Sequence, residues 1–171
     1  MTQVIEKKPS TEFIKEYFQI TDIWKRMCEL HNDLFDLTGE EYSELLASDF
    51  DKIEEITMRK NEVIAEISRF EKLRAKVIES LVIKGASIER ASDLVAHFSD
   101  CPPELEGKHL WRFNQLLVDI IGKIQDQNKR NQIFINKAIV SLREIREGAF
   151  GEEKHYVYNS KGSSRAISTN R

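Results

Sequence analysis

The stretch Phe13–Leu34, FIKEYFQITDIWKRMCELHNDL, decides the fold class. Its apolar positions fall at Phe13, Tyr17, Ile20, Trp24 and Met27, and the same spacing continues to His31 and Leu34. The steps alternate four and three. An average of about 3.5 residues keeps one stripe on one side of an α-helix and favours coiled-coil-like packing. Ile14, Ile23, Leu30 and Leu37 widen the stripe on its flanks. Upstream, Ser10 followed by Glu12 supplies a cap and a first-turn acid, which predicts the helix start. Residues 1–10 are polar and read as a flexible N-terminus.

Downstream the pattern loosens at Thr38-Gly39 and resumes at Tyr42, Leu45 and Leu46. A sharper break falls at Ala47-Ser48-Asp49, where Ser48 with Asp51 three residues on resembles a capping box. A second run then reads Ile53, Ile56, Lys60, Val63, Ile67, Phe70, Arg74, Val77, Leu81. Lys60 and Arg74 fit such a stripe when their alkyl stems pack and their charges reach outward. The run stops at Gly85, a natural left-handed cap. Each helix would be about 50 Å long. A short connection makes the pair antiparallel.

Ser87 is expected to open a short helix carrying Ile88, Ala91, Leu94, Val95 and Phe98. Cys101-Pro102-Pro103 ends it, because neither proline can donate a backbone hydrogen bond, and Pro103 suits the start of a last helix. That helix carries Leu110, Phe113, Leu117, Ile120, Ile124, Gln127, Asn131, Phe134, Ala138, Leu142 and Ile145, and stops near Gly148. Beyond it, residues 149–171 lack any stripe and are rich in Ser, Asn and Gly, which predicts a flexible C-terminal tail. The expected fold is therefore all-α: a long antiparallel helical hairpin, a short helix and a long C-terminal helix, forming a coiled-coil-like bundle over residues 11–148.

Composition narrows the function. The 171 residues carry 26 Lys+Arg against 29 Asp+Glu, a net charge of −3, so no nucleic-acid partner is expected from charge. No run free of Asp, Glu, Lys and Arg exceeds about six residues, far below the roughly 18 of a spanning helix, and the N-terminus lacks a secretory pattern. Cys28 and Cys101 stand apart, as in a reduced cytoplasmic protein without a zinc site. Glu106-x-x-His109 and Glu152-x-x-His155 match the spacing of di-iron bundles, but neither long stripe offers an inward Glu to complete such a set. His31 reads as a core or rim histidine. The expectation is no metal, no cofactor and no enzyme.

The residues themselves carry a resemblance. Ser48-Asp49-Phe50-Asp51 opens an acidic second helix, and Lys60 follows. Pro102-Pro103-Glu104-Leu105 precedes the last helix. Ile124-x-x-x-Asn128-x-x-Asn131-x-x-Phe134-Ile135 lies in its middle, and Tyr158-Asn-Ser-Lys-Gly162 stands in the tail. In this order and spacing they are similar to the FlgN family of flagellar export chaperones, although Asn159 stands where the family often has Gly.

The resemblance implies a cytoplasmic escort for hook-associated (hook–filament junction) proteins, which binds their disordered C-terminal segments and delivers them to the type III export gate. It places Asn128, Asn131, Phe134, Ile135, Ala138, Leu142 and Ile145 in the client-binding helix. It also implies that Tyr156 or Tyr158, with Gly162, docks at the cytosolic domain of the gate. Read as residues alone, the apolar row Phe134 to Ile145 runs past where the short helix can cover it and suits a docking surface; the alternative is that it packs on the first helix pair or forms the seam of a homo-oligomeric coiled coil. Likewise, Gln127, Asn128 and Asn131 either fix helix register or bind a client. Oligomeric state, including a weak homodimer, is left open.

Overall fold

The computed structural model describes residues 10–98, 108–150, 156–158 and 164–166. Four helices follow one another: α1 (Thr11–Ala47), α2 (Phe50–Ile83), α3 (Ala91–His97) and α4 (Lys108–Phe150). Two short strands come last, β1 (Tyr156–Tyr158) and β2 (Ser164–Ala166). Packing divides the chain into two units, Met1–Asn131 and Gln132–Arg171. The division falls inside α4, whereas the composition changes only after Gly148.

In the first unit, α1 carries the core. Ser10 caps it as expected, its side chain accepting from the Phe13 N–H at 3.1 Å. The helix runs unbroken through Gly39, because one glycine costs only about 1 kcal/mol against the packing on either side. Its buried side chains include Tyr17, Ile20, Trp24, Met27, His31 and Thr38, so the stripe read from the sequence is the packed face. On α2 only Ile56, Val77 and Leu81 are fully buried. Between Thr57 and Lys76 the stripe residues Lys60, Val63, Ile67, Phe70 and Arg74 are half-buried.

The hairpin is antiparallel, as its ion pairs show. Lys84 at the end of α2 meets Glu12 and Glu16 at the start of α1, while Lys52 near the start of α2 meets Glu44 near the end of α1. These exposed pairs contribute little stability each; they report the direction. The Arg74 guanidinium lies 5.4 Å from the Trp24 ring centre, so its stem packs while its charge is held over a π-face.

Two local expectations are corrected. The connection between α1 and α2 is Ser48-Asp49, and Asp49 rather than Ser48 caps α2, accepting from the Lys52 N–H at 3.2 Å. Ser48 instead closes α1 in the left-handed conformation (φ 58°), with Asp49 N–H bonded to the Glu44 carbonyl at 3.1 Å. A serine thus fills the place that glycine usually takes. The third helix starts at Ala91, not Ser87. The Asp93 carboxylate accepts from the backbone N–H groups of Arg90 and Glu89 at 2.8 and 3.0 Å, and these bonds hold its pKa below the ordinary value. They satisfy donors that would otherwise be orphaned at the helix start. Gly85 behaves as expected: with φ +100° it follows α2 while Ala86 N–H reaches the Leu81 carbonyl at 3.0 Å.

Leu94 and Phe98, at α3 and its end, are completely buried. Phe98 sits 5.1 Å from Phe13 and 5.6 Å from Tyr17, centre to centre, tilted as aromatic quadrupoles prefer. The first part of α4 adds Leu110 and Leu117 to the same cluster, with Ile120 and Ile124 buried further along.

In the second unit, α4 continues to Phe150, just past the expected stop near Gly148. Within the region expected to lack regular structure, β1 and β2 pair antiparallel, Tyr156 opposite Ala166 and Tyr158 opposite Ser164. The sequence pattern misses them because three-residue strands are too short to show alternation.

The left-handed Ser48 yields a test. A residue with a Cβ incurs about 1–2 kcal/mol there, a branched one at the upper end. Ser48→Val should lower the urea midpoint at constant m-value, by about 1–2 kcal/mol of stability. Ser48→Gly should match or exceed the wild type. Equal loss in both would show that the serine hydroxyl, not the backbone conformation, matters.

Candidate functional site

The centre of interest is a polar cluster set into the otherwise apolar stripes of the first unit. Thr38 and Glu41 come from α1, Lys60 from α2, and Gln127 and Asn131 from α4. Asn131 is 3% exposed. Its Nδ2 donates to the Thr38 carbonyl at 3.1 Å and to Glu41 Oε2 at 2.7 Å, while its Oδ1 accepts from Gln127 Nε2 at 3.0 Å. The same Glu41 oxygen accepts from Lys60 Nζ at 2.9 Å. Thr38 Oγ1 donates to the Leu34 carbonyl at 2.7 Å. One carboxylate therefore joins three helices.

Each member is placed by its own helix. Asn131 follows Ile120, Ile124 and Gln127 at steps of four, three and four, so the apolar register delivers it to the packed side. Lys60 occupies the α2 stripe as read from the sequence, and its charge finds Glu41 instead of solvent. The cluster satisfies the buried amide within the protein, as buried amides require. Of the two readings open for Asn131, register is the one these bonds support.

The other residues expected to bind a client are arranged differently. Asn128 is exposed. In the second unit Phe134 and Ile135 are half-buried, and Ala138 is exposed. Leu142 and Ile145 are each 66% exposed. Their spacing is that of one helical face, yet Ile139, Val140, Leu142 and Ile145 all stand in water. Tyr156 and Tyr158 form β1, opposite β2. Gly162 lies outside the described residues, as do Glu106, Glu152 and His155.

Nothing among the described residues resembles a metal centre: no group of three or more His, Cys, Asp and Glu comes together. His31 is buried, with Nδ1 2.7 Å from the Met27 carbonyl, a core histidine bonded within its own helix. Cys28 is also buried; its Sγ lies 3.3 Å from the Phe113 carbonyl, and burial pushes the thiol up to about 11. Such a thiol is a packing group, since only the thiolate is reactive. Two open grooves flank α1 within the first unit. One, of about 760 Å³, lies along α2 and is floored by Ile23, Phe70, Val77 and Leu81. The other, of about 490 Å³, lies along α4 and includes Phe35, Phe113, Leu116 and Ile120. Among the described residues, no helix is long and apolar enough to cross a membrane.

The order of these elements agrees with one family. A family model described as FlgN protein matches residues 16–166. The chain belongs to the FlgN family. Members are flagellar export chaperones, and in general they bind hook-associated proteins of the flagellum. No curated protein and no solved structure matches the chain. The match takes in α1 almost from its start, the polar cluster, the exposed end of α4 and both strands.

Thr38 and Glu41 were not legible as partners of Asn131. Thr38 lies one turn beyond Leu34 in the α1 register, which is a weak signal, and Glu41 carries none.

The cluster makes a quantitative prediction. Asn131→Ala removes the bonds to the Thr38 carbonyl and to the partly exposed Glu41 carboxylate and should cost about 1–3 kcal/mol in chemical unfolding. Combined with Glu41→Gln, the double variant should lose less than the sum, with a coupling of about 0.5–3 kcal/mol. Strict additivity would show that the two groups do not share a bond in solution.

Proposed function

We propose that this FlgN-family chain binds the C-terminal segments of hook-associated proteins on the apolar row Phe134, Ile135, Ala138, Leu142 and Ile145, and carries them to the flagellar export gate. The observation that carries the reading is the exposure of Leu142 and Ile145 in helical register. An amphipathic client helix presents apolar side chains at i, i+3, i+4 and i+7, which is the repeat of this row. Covering an exposed leucine or isoleucine fully gains roughly 1.5–3 kcal/mol before ordering costs. A client that folds as it binds returns several kcal/mol of that gain, which suits a carrier that must later let go. Asn128, exposed on the same helix, offers an amide to the client. Asn131 serves by holding α4 in register.

On this reading the tail is the second contact. Tyr156 or Tyr158, with Gly162, meets the cytosolic domain of the export gate; tyrosine joins a large apolar area to a polar tip and is a favoured interface anchor. Supporting the assignment is the place of these residues at the end of the family match. The protein acts as a binding module with no chemical step, and it works in the cytoplasm, where its clients are made.

Titration of the full chain with a C-terminal peptide of a hook-associated protein tests the row. Leu142→Ser and Ile145→Ser should each weaken binding roughly tenfold or more, near 1.4 kcal/mol, with melting temperature unchanged because both positions are exposed. Undiminished binding would remove the row from the client site. A melting temperature that rises with protein concentration and falls with either variant would favour a homo-oligomeric coiled coil. For the tail, Tyr158→Ala and Tyr156→Ala should leave peptide affinity intact while one of them lowers secretion of the client. Loss of affinity would move the tail into the client site.

A further inference from the structure

The proposed client row has edges as well as a face, and the edges carry charge. In the second unit Lys137 and Arg146 are both exposed, and neither makes an ion pair with a described residue. At about 100° per residue, Lys137 lies about 60° to one side of Phe134. Arg146 lies about 40° beyond Leu142 on the other. The two cations therefore stand on opposite edges of the row.

The helix itself leaves both charges open. A helical side chain meets its neighbours three and four residues away. For Lys137 these are Ile133, Phe134, Val140 and Ser141. For Arg146 they are Leu142, Arg143, Ala149 and Phe150. No carboxylate is among them. Glu144 and Glu147 fall about 130° and 170° round the helix from the middle of the row, and Glu144 is about 10 Å along the axis from Lys137. Arg143 differs, because Glu147 follows it at four residues and it stands further from the row.

Charge says which occupant suits. An apolar face with a cation on each edge is complementary to an amphipathic segment whose apolar stripe is flanked by carboxylates. Arginine pairs with a carboxylate through two parallel N–H groups. The chain's own residues 151–171 do not fit, since they carry four Lys and Arg against two Glu. A second copy would bring cations of the same sign to the same edges.

Resting on the client reading of the row, we infer that the segment bound there is an acidic amphipathic helix, whose carboxylates meet Lys137 on one edge and Arg146 on the other. The apolar row supplies most of the binding. The two cations select the charge of the client, because flanking charges govern specificity and encounter more than affinity. In a chain of net charge −3, an acidic segment is repelled by the overall charge and meets a cationic border at this row.

The test uses the full chain with two labelled helical peptides, one of leucine and glutamate and one of leucine and lysine, beside a C-terminal peptide of a hook-associated protein. The leucine–glutamate peptide should bind at least tenfold tighter than the leucine–lysine one, shift amide resonances of residues 134–146, and weaken with added salt as screening requires. Lys137→Glu combined with Arg146→Glu should reverse that preference with melting temperature unchanged, since both positions are exposed, and should weaken the hook-associated peptide roughly tenfold. If Leu142→Ser weakens the hook-associated peptide while the charge-reversed variant binds it as the wild type does, the row stands as a client site and the inference is overturned. An unchanged preference between the two model peptides overturns it as well. If none of the three peptides binds, or if Leu142→Ser only abolishes self-association of the free chain, the row is no client site and the inference falls with it.

Discussion

A buried primary amide accepts very few positions. In apolar stripes with a repeat near 3.5 residues, one helix can slide along another by a heptad and still bury leucine and isoleucine. Asn131 forbids this. Its N–H groups meet the Thr38 carbonyl and Glu41 at 3.1 and 2.7 Å, and a shift of one turn, about 5.4 Å, would leave the amide and the carboxylate without those bonds. Losing them costs more than any single apolar contact regains. Because Lys60 shares the same carboxylate at 2.9 Å, one constraint sets α4 on α1 and α1 on α2 together. Polar groups of this kind specify an arrangement at some expense of stability.

The cluster stands where the core has little shape of its own. Toward the chain ends of the hairpin, Trp24, Tyr17 and Phe98 are almost fully buried, and rings that must tilt against one another admit few packings. Past Ile56 toward the turn, no aromatic residue is buried among the described ones. Hydrogen bonds there take over the work of specification that rings perform at the other end. Between the two lies the stretch of α2 from Thr57 to Lys76, half-buried on one helix only.

How much of this could be read in advance follows from the range of each interaction. The long stripes of α1 and α2 are local repeats, and both appear in the sequence within a residue or two of their observed limits. Gly85 also reads correctly, because a positive φ favours glycine over other residues. Ser48 does not, since a left-handed serine is chemically indistinguishable from a serine cap until the backbone is seen. The start of α3 shifts from Ser87 to Ala91 because Asp93 captures the N–H groups of Glu89 and Arg90. The exposure of Leu142 and Ile145 could be anticipated from a stripe that continues past the reach of so short a third helix. The bonds of Asn131 could not, because they join residues from opposite ends of the chain and neither Thr38 nor Glu41 is marked by pattern.

The third helix shows the same dependence at a smaller scale. Seven residues are too few to sustain a helix in water, where nucleation is unfavourable and isolated helices need about 12–15 residues. Its existence rests on Leu94 and Phe98, which bring the only side chains it buries fully into contact with α1. Phe98 in turn closes the aromatic group around Phe13 and Tyr17, which would otherwise lie open at the ends of a two-helix hairpin. Local propensity therefore accounts for the long helices, and burial accounts for the short one. The same logic explains why α4 stays helical past Asn131, where Leu142 and Ile145 are exposed: the segment extends a helix already nucleated and packed, adding one backbone hydrogen bond per residue.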